Sequence, residues 1–91
     1  MKSIQLTQLD NIAIVVQVVE MSYRRPNRPI PKAVVYQKIN GKVRRRLADA
    51  NGYILCWTQT FRSQTSPVIE FWLGNKPSVR KSVRWHWMKG E

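Results

Sequence analysis

The sequence predicts a mostly β fold: a small single-domain antiparallel sheet or barrel that spans residues 1–91. Turn-forming residues recur at fairly even spacing, from Asp10-Asn11 to the segment 74–78. The short stretches between them are rich in Val, Ile, Trp, Tyr and Thr, which is the composition of strands. Several stretches also alternate between apolar and polar residues, as strands with one buried face do. A chain of 91 residues has the length of one domain.

The N-terminal segment is open to two interpretations. Residues 12–21 (IAIVVQVVEM) consist mostly of Val and Ile, which favours a strand. Asp10 is also a suitable N-cap for a helix that begins there. Propensity and capping therefore leave both strand and helix open for this segment.

Residues 32–50 are also open to two interpretations. As a hairpin, they turn at Asn40-Gly41, which is the strongest short-range hairpin signal in the chain. A two-residue loop at this point pairs Lys38 with Val43, Tyr36 with Arg45, and Val34 with Leu47. This pairing gives one mostly apolar face and an opposite face that carries the bases Lys42, Arg44 and Arg46. As helices, the same residues place apolar side chains at every fourth position, with Gly41 at the bend between two helices.

The helical interpretation resembles the winged helix-turn-helix family over residues 32–73. The stretch VRRRLADANGYI would be the recognition helix and the hairpin 53–73 the wing. The resemblance implies a DNA-binding transcriptional regulator with residues 44–46 in the major groove and the loop 61–67 as the wing tip. The density of Val and Ile favours the β interpretation, a sheet or barrel of the size of an SH3 or OB domain.

The C-terminal half predicts a three-stranded antiparallel meander over residues 53–88. Its expected strands are 53–61, 67–73 and 79–88, each with alternating side chains. In the first strand, Leu55 and Trp57 fall on the side that we assign to the core. In the second strand, Phe71 falls on the core side, and Trp72 on the opposite face is either a solvent-accessible stacking platform or part of a second core layer.

Charge points to a polyanionic partner. Sixteen Lys and Arg residues against five Asp and Glu give a net charge of +11, and the bases cluster in residues 24–28, 38–46 and 76–84. Such a potential attracts nucleic acid and releases its counterions on binding. We therefore expect a small basic protein that binds DNA or RNA through its cations and through aromatic stacking. An acidic protein exerts a field of the same sign, so a protein-interaction module or inhibitor that docks on an acidic partner is the alternative.

The expected contact residues come from the three basic clusters, with one tryptophan and one histidine added. They are Arg24, Arg25, Arg28, Lys38, Lys42, Arg44, Arg45, Arg46, Trp72, Arg80, Arg84 and His86. An aromatic side chain among cations on a solvated sheet face is a common means of holding single-stranded nucleic acid. In the meander, Trp72 shares its face with Arg80, Arg84 and His86.

The sequence contains none of the common signatures of catalysis or metal binding. It offers no evident carboxylate pair, no Gly-rich phosphate loop, and only one Cys and one His, so we expect no enzymatic activity, metal or cofactor. The single Cys56 excludes an internal disulfide. The chain has neither a signal-peptide pattern nor an apolar run that could span a membrane, so we expect a cytoplasmic protein without a membrane partner.

Overall fold

The computed structural model describes residues 1–89 and confirms the mostly β class. Eight strands and one short 3-10 turn follow in chain order: β1 Lys2–Leu9, β2 Ala13–Ser22, β3 Arg25–Pro29, β4 Val34–Ile39, β5 Lys42–Leu47, β6 Tyr53–Trp57, the turn Thr58–Thr60, β7 Val68–Leu73 and β8 Lys76–Arg84. No α-helix occurs within residues 1–89, so the winged-helix interpretation is wrong. Residues 12–21 belong almost entirely to β2, and residues 32–50 contain the β4–β5 hairpin.

The first sheet is built around β2. Strand β1 pairs antiparallel with β2 from Lys2–Glu20 to Leu9–Ala13. The opposite edge of β2 is shared, because β6 pairs with its first half and β3 with its second half. With ten residues, β2 is long enough to hold both short strands. Its inward-facing Ile14, Val16 and Val18 are buried.

The second sheet has the order β5-β4-β7-β8. The β4–β5 hairpin has the pairing that the sequence predicts, including Lys38 opposite Val43 and Val34 opposite Leu47. Asn40 and Gly41 have φ angles of 55° and 77°. Positive φ at both central residues is the geometry of the type I′ turn, which matches the twist of the two strands.

The hydrophobic core lies between the two sheets. The first sheet contributes Ile4, Ile14, Val16, Val18, Ile54 and Cys56, and the second contributes Val35, Ile39, Ile69, Phe71 and Leu73. Phe61 and Trp85 pack edge to face within the same core, with ring centroids 5.3 Å apart. Trp85 is completely buried, and its backbone N–H donates to the carbonyl of Pro67.

The predicted three-stranded meander over 53–88 is wrong. Strand β6 pairs with β2 in the first sheet, whereas β7 pairs with β4 and β8 in the second. Residues 58–67, which include the 3-10 turn, carry the chain from one sheet to the other. Only the β7–β8 hairpin remains of the meander, and β8 ends at Arg84 rather than at residue 88.

The face assignment of β6 also differs from the structure, and the hairpin buries its less apolar face. In β6, Ile54 and Cys56 are buried while Trp57 is 49 % exposed, so the core side is the reverse of the prediction. In the β4–β5 hairpin, the core side carries Val35, Gln37 and Ile39, and the more apolar side faces outward. Strands β4 and β6 each have apolar side chains on both faces, so alternation alone does not identify the buried face. In β7 the predicted faces are confirmed: Phe71 is buried, and Trp72 lies on the opposite, outer face, where it is half-buried rather than sealed in a second core layer.

Truncation of two tryptophans tests these face assignments. Trp85→Ala should lower the free energy of unfolding by about 3–5 kcal/mol, because it removes a fully buried ring. Trp57→Ala should lower it by less than about 1 kcal/mol, because half of that side chain is in solvent. Urea denaturation followed by circular dichroism measures both values. A larger loss for Trp57→Ala than for Trp85→Ala would contradict the observed register of β6.

Candidate nucleic-acid interface

Four side chains form a row straight across the outer face of the second sheet. The strand register places Arg45 opposite Tyr36, Tyr36 opposite Trp72, and Trp72 opposite Arg80. The row therefore crosses all four strands, from β5 at one edge to β8 at the other. We call Arg45, Tyr36, Trp72 and Arg80 the cationic–aromatic row. Two aromatic rings lie at its centre, and an arginine flanks them on each side.

The side chains at the centre of the row contact one another. The rings of Tyr36 and Trp72 are stacked, with centroids 5.9 Å apart and an interplanar angle of 17°. The guanidinium carbon of Arg80 lies 4.8 Å from the centroid of the Trp72 ring, which is within cation–π range. Arg80 also forms a 2.9 Å ion pair with Glu70. This ion pair and the indole together hold the guanidinium over the ring.

A groove of about 420 Å³ borders Tyr36 on the same face. Val34, Gly74 and Asn75 are among the residues that line it. A Cβ atom on Gly74 would lie 3.0 Å from Cγ1 of Val34 and 3.1 Å from Cε2 of Tyr36. The missing side chain at position 74 therefore gives the Tyr36 ring the room that it occupies.

The remaining outer-face charges are mostly positive. Lys38 lies opposite Glu70, and Arg84 lies opposite Val68. With the two arginines of the row, four cations share this face with the single carboxylate of Glu70, which Arg80 already engages. The structure thus brings together Lys38, Arg45, Trp72, Arg80 and Arg84 from the predicted set.

The other three bases of the β4–β5 hairpin point to the inner side. Lys42, Arg44 and Arg46 lie opposite Ile39, Gln37 and Val35, which are buried. Arg46 donates from Nη1 to Oε1 of Gln37 at 2.9 Å and from Nη2 to the carbonyl of Leu55 at 2.8 Å. This guanidinium connects β5 to β6 and so links the two sheets. Arg46 therefore has a structural role in addition to its charge, because it links the two sheets.

The cations on the inner side of β5 also affect the pKa of the Cys56 thiol. Burial raises the pKa of Cys56, whereas the positive charges of Arg46 and Arg44 act in the opposite direction. Burial has the larger effect, so the side chain stays a neutral thiol at physiological pH. The influence of Arg44 and Arg46 on a core residue of β6 agrees with their position on the inner side of β5.

Four predicted contact residues lie away from the row. Arg24, Arg25 and Arg28 are exposed and belong to β3 and the turn before it, in the first sheet. Residues 25–29 form an edge strand with a proline at two positions. His86 follows the end of β8, and its backbone carbonyl accepts a hydrogen bond from Nε2 of Gln8, in β1. His86 therefore does not share the strand face of Trp72.

Tyr36 is the functional candidate that sequence reasoning missed. The hairpin register already placed it opposite Arg45, but nothing in the sequence shows that β4 pairs with β7. That pairing joins residues thirty or more positions apart, and it alone brings Tyr36 against Trp72.

No protein-family model, no curated protein and no solved structure matches this chain. Within residues 1–89, no group of three or more His, Cys, Asp or Glu side chains is arranged to hold a metal ion. The same residues contain no helix of the length and apolarity that a membrane crossing requires.

Neighbouring arginines of β5 should differ in their effect on stability. Arg46→Ala should lower the free energy of unfolding by about 1–3 kcal/mol, because it removes the partner of the buried Gln37 oxygen. Arg45→Ala should change it by no more than about 0.5 kcal/mol, because Arg45 is exposed on the outer face. Thermal and urea denaturation of both variants provide the comparison. Equal losses would contradict the assignment of these residues to opposite faces.

Proposed function

We propose that this protein binds single-stranded nucleic acid, without enzymatic activity, on the outer face of its second sheet. The observation that carries the proposal is the cationic–aromatic row, in which two stacked rings lie between two arginines. Aromatic side chains on a sheet stack with unpaired bases, and adjacent cations neutralise phosphates. The net charge of +11 would draw a polyanion to this surface.

The ion pair between Arg80 and Glu70 gives the row a means of opening. Arg80 is about half exposed, and exposed ion pairs contribute only about 0–1 kcal/mol. A phosphate would replace Glu70 as the partner of Arg80 with comparable geometry. Movement of the guanidinium toward that phosphate would uncover the Trp72 ring for a base. One side chain would thus couple phosphate binding to base stacking.

The groove beside Tyr36 extends the same surface. Its volume of about 420 Å³ is large enough for one nucleobase, and the Tyr36 and Val34 side chains both border it. The side-chain amide of Asn75 borders the groove and offers both a donor and an acceptor to a base edge. Bases reach such positions only when they are unpaired, which is why a single strand fits better than a duplex.

Salt dependence tests the electrostatic part of this proposal. Four cations lie on the outer face, so a bound strand should contact about four phosphates and give a slope near −3 in a plot of log affinity against log salt. Affinity should therefore fall about 50-fold between 50 and 200 mM salt. Fluorescence anisotropy with an unlabelled protein and a labelled oligonucleotide measures the slope. Absence of binding at low salt to both DNA and RNA strands would overturn the proposal.

Tryptophan and tyrosine pairs test the position of the interface. Trp72→Ala should cost about 1–3 kcal/mol of single-strand affinity, because a stacking partner is lost. Trp57→Ala is the matched control, since Trp57 is a solvent-accessible tryptophan on the other sheet. Tyr36→Ala and Tyr53→Ala form a second pair of the same kind. If the two β6 variants lost as much affinity as the two row variants, the strand would bind the first sheet instead.

A second candidate function has support from the first sheet. Tyr53, Leu55 and Trp57 of β6 form an exposed apolar strip on its outer face, close to the exposed Leu47 of β5. Exposed apolar patches mark protein–protein contact sites, and the charge of this chain favours an acidic partner. The protein would then be an interaction module or inhibitor. If no nucleic acid bound at low salt, the protein-interaction function would be favoured over nucleic-acid binding.

A further inference from the structure

The inner side of the β4–β5 hairpin holds a cavity that the cationic–aromatic row does not use. Its volume is about 300 Å³, and it lies between the hairpin and the 3-10 turn that follows β6. The lining residues are Gln37, Ile39, Asn40, Lys42, Arg44 and Thr60. Five of these six side chains are polar or charged, and the charges are both positive. A cavity of this composition selects for an anion.

Neither cation of the cavity is neutralised by the protein. Within residues 1–89, no acidic oxygen lies within 4.0 Å of the Lys42 or Arg44 nitrogens. Both side chains project from alternate positions of one strand toward the same side. Their charges therefore add at the cavity.

A buried amide supplies a further donor. Gln37 is 1 % exposed and lines the cavity. Its Oε1 must face Arg46, because a guanidinium only donates hydrogen bonds. The Nε2 group then points away from Arg46, and it donates to no acceptor among residues 1–89. This N–H group is therefore available to donate a hydrogen bond to an anion in the cavity.

We propose that this cavity binds a phosphate monoester, held by Lys42, Arg44 and the Nε2 group of Gln37. A monoester carries close to two negative charges at neutral pH, which matches the two unpaired cations. An internal phosphodiester carries one charge and continues in both directions along the strand. The monoester would belong either to a free phosphorylated small molecule or to the phosphorylated end of a nucleic-acid strand. The second source rests on the proposed function, and the first does not.

The position of the cavity suits the phosphorylated end of a nucleic-acid strand as the source of the monoester. The cationic–aromatic row reaches the edge of the sheet at Arg45, and Arg44 follows on the opposite side of the same edge strand. A bound oligonucleotide that crosses the row toward β5 would reach the cavity after it passes this edge of the sheet. Its terminal phosphate would then lie on the inner side, while its bases stack on the outer side.

Binding of end-modified strands tests this source. One oligonucleotide sequence with an internal fluorophore is prepared with a 5′-phosphate, with a 3′-phosphate, and with hydroxyl groups at both ends. One phosphorylated end should raise the affinity of the full-length protein by about tenfold or more, because it adds charge-assisted hydrogen bonds. The double variant Lys42→Gln/Arg44→Gln should abolish this ratio. Each single substitution should reduce it in part.

A charge-matched variant controls for the lost positive charge. Lys76→Gln/Lys81→Gln removes the same number of charges from β8, at the far edge of the sheet from β5. It should weaken the binding of all strands alike and leave the ratio between phosphorylated and hydroxyl ends unchanged. Since each ratio is taken within one variant, a general loss of affinity does not affect it. Melting temperatures of both double variants verify that the fold is retained.

Calorimetry with adenosine 5′-monophosphate and adenosine tests the other source. Binding of the monophosphate alone, lost in Lys42→Gln/Arg44→Gln, would support the cavity as a site for a free phosphorylated molecule. The same result without any oligonucleotide binding would uphold the cavity and overturn the proposed function. Two results together would overturn the cavity proposal. The first is equal affinity for oligonucleotides with phosphorylated and hydroxyl ends, and the second is the absence of monophosphate binding that depends on Lys42 and Arg44. Hydroxyl-ended strands that bind through Trp72 would still uphold the proposed function.

Discussion

The register of the β4–β5 hairpin is the constraint on which both proposed surfaces depend. Asn40 and Gly41 adopt positive φ angles, which a two-residue type I′ turn requires. The turn allows one pairing of the flanking strands, and a slip by one residue would exchange the two faces of β5. In the observed register, Arg45 joins Tyr36 on the outer face, whereas Lys42 and Arg44 line the inner cavity.

The inward cations of β5 are tolerated because β5 is an edge strand. At the edge of the sheet, Lys42 and Arg44 remain exposed to solvent and avoid the cost of full burial. Arg46 is partly buried, and two protein oxygens accept its hydrogen bonds. Charged side chains on an edge strand also oppose pairing with a strand of another molecule. One strand thus combines a link between the sheets, protection of an edge and the lining of a polar cavity.

The two sheets present different chemistry on their outer faces. The first sheet exposes an apolar strip that contains Trp57, and the second exposes a cationic face that contains Trp72. Trp85 is buried between the sheets, where it packs against Phe61. These three tryptophans therefore lie in distinct environments, so substitution of each one reports on a different part of the molecule. This separation lets stability, strand binding and protein contact be measured independently.

Local chemistry in the sequence was sufficient for the strand class, the hairpin register and the buried side of β7. Val and Ile propensity, the Asn40-Gly41 turn and the polar Glu70 beside Trp72 each act over a few residues. The partner and buried side of β6, and the contact between Tyr36 and Trp72, were decided only by the tertiary structure. Alternation defines two faces of a strand, but it does not show which face is inside when both are apolar, as in β6. Pairing between distant strands depends on how the whole core packs, and no short segment contains that information.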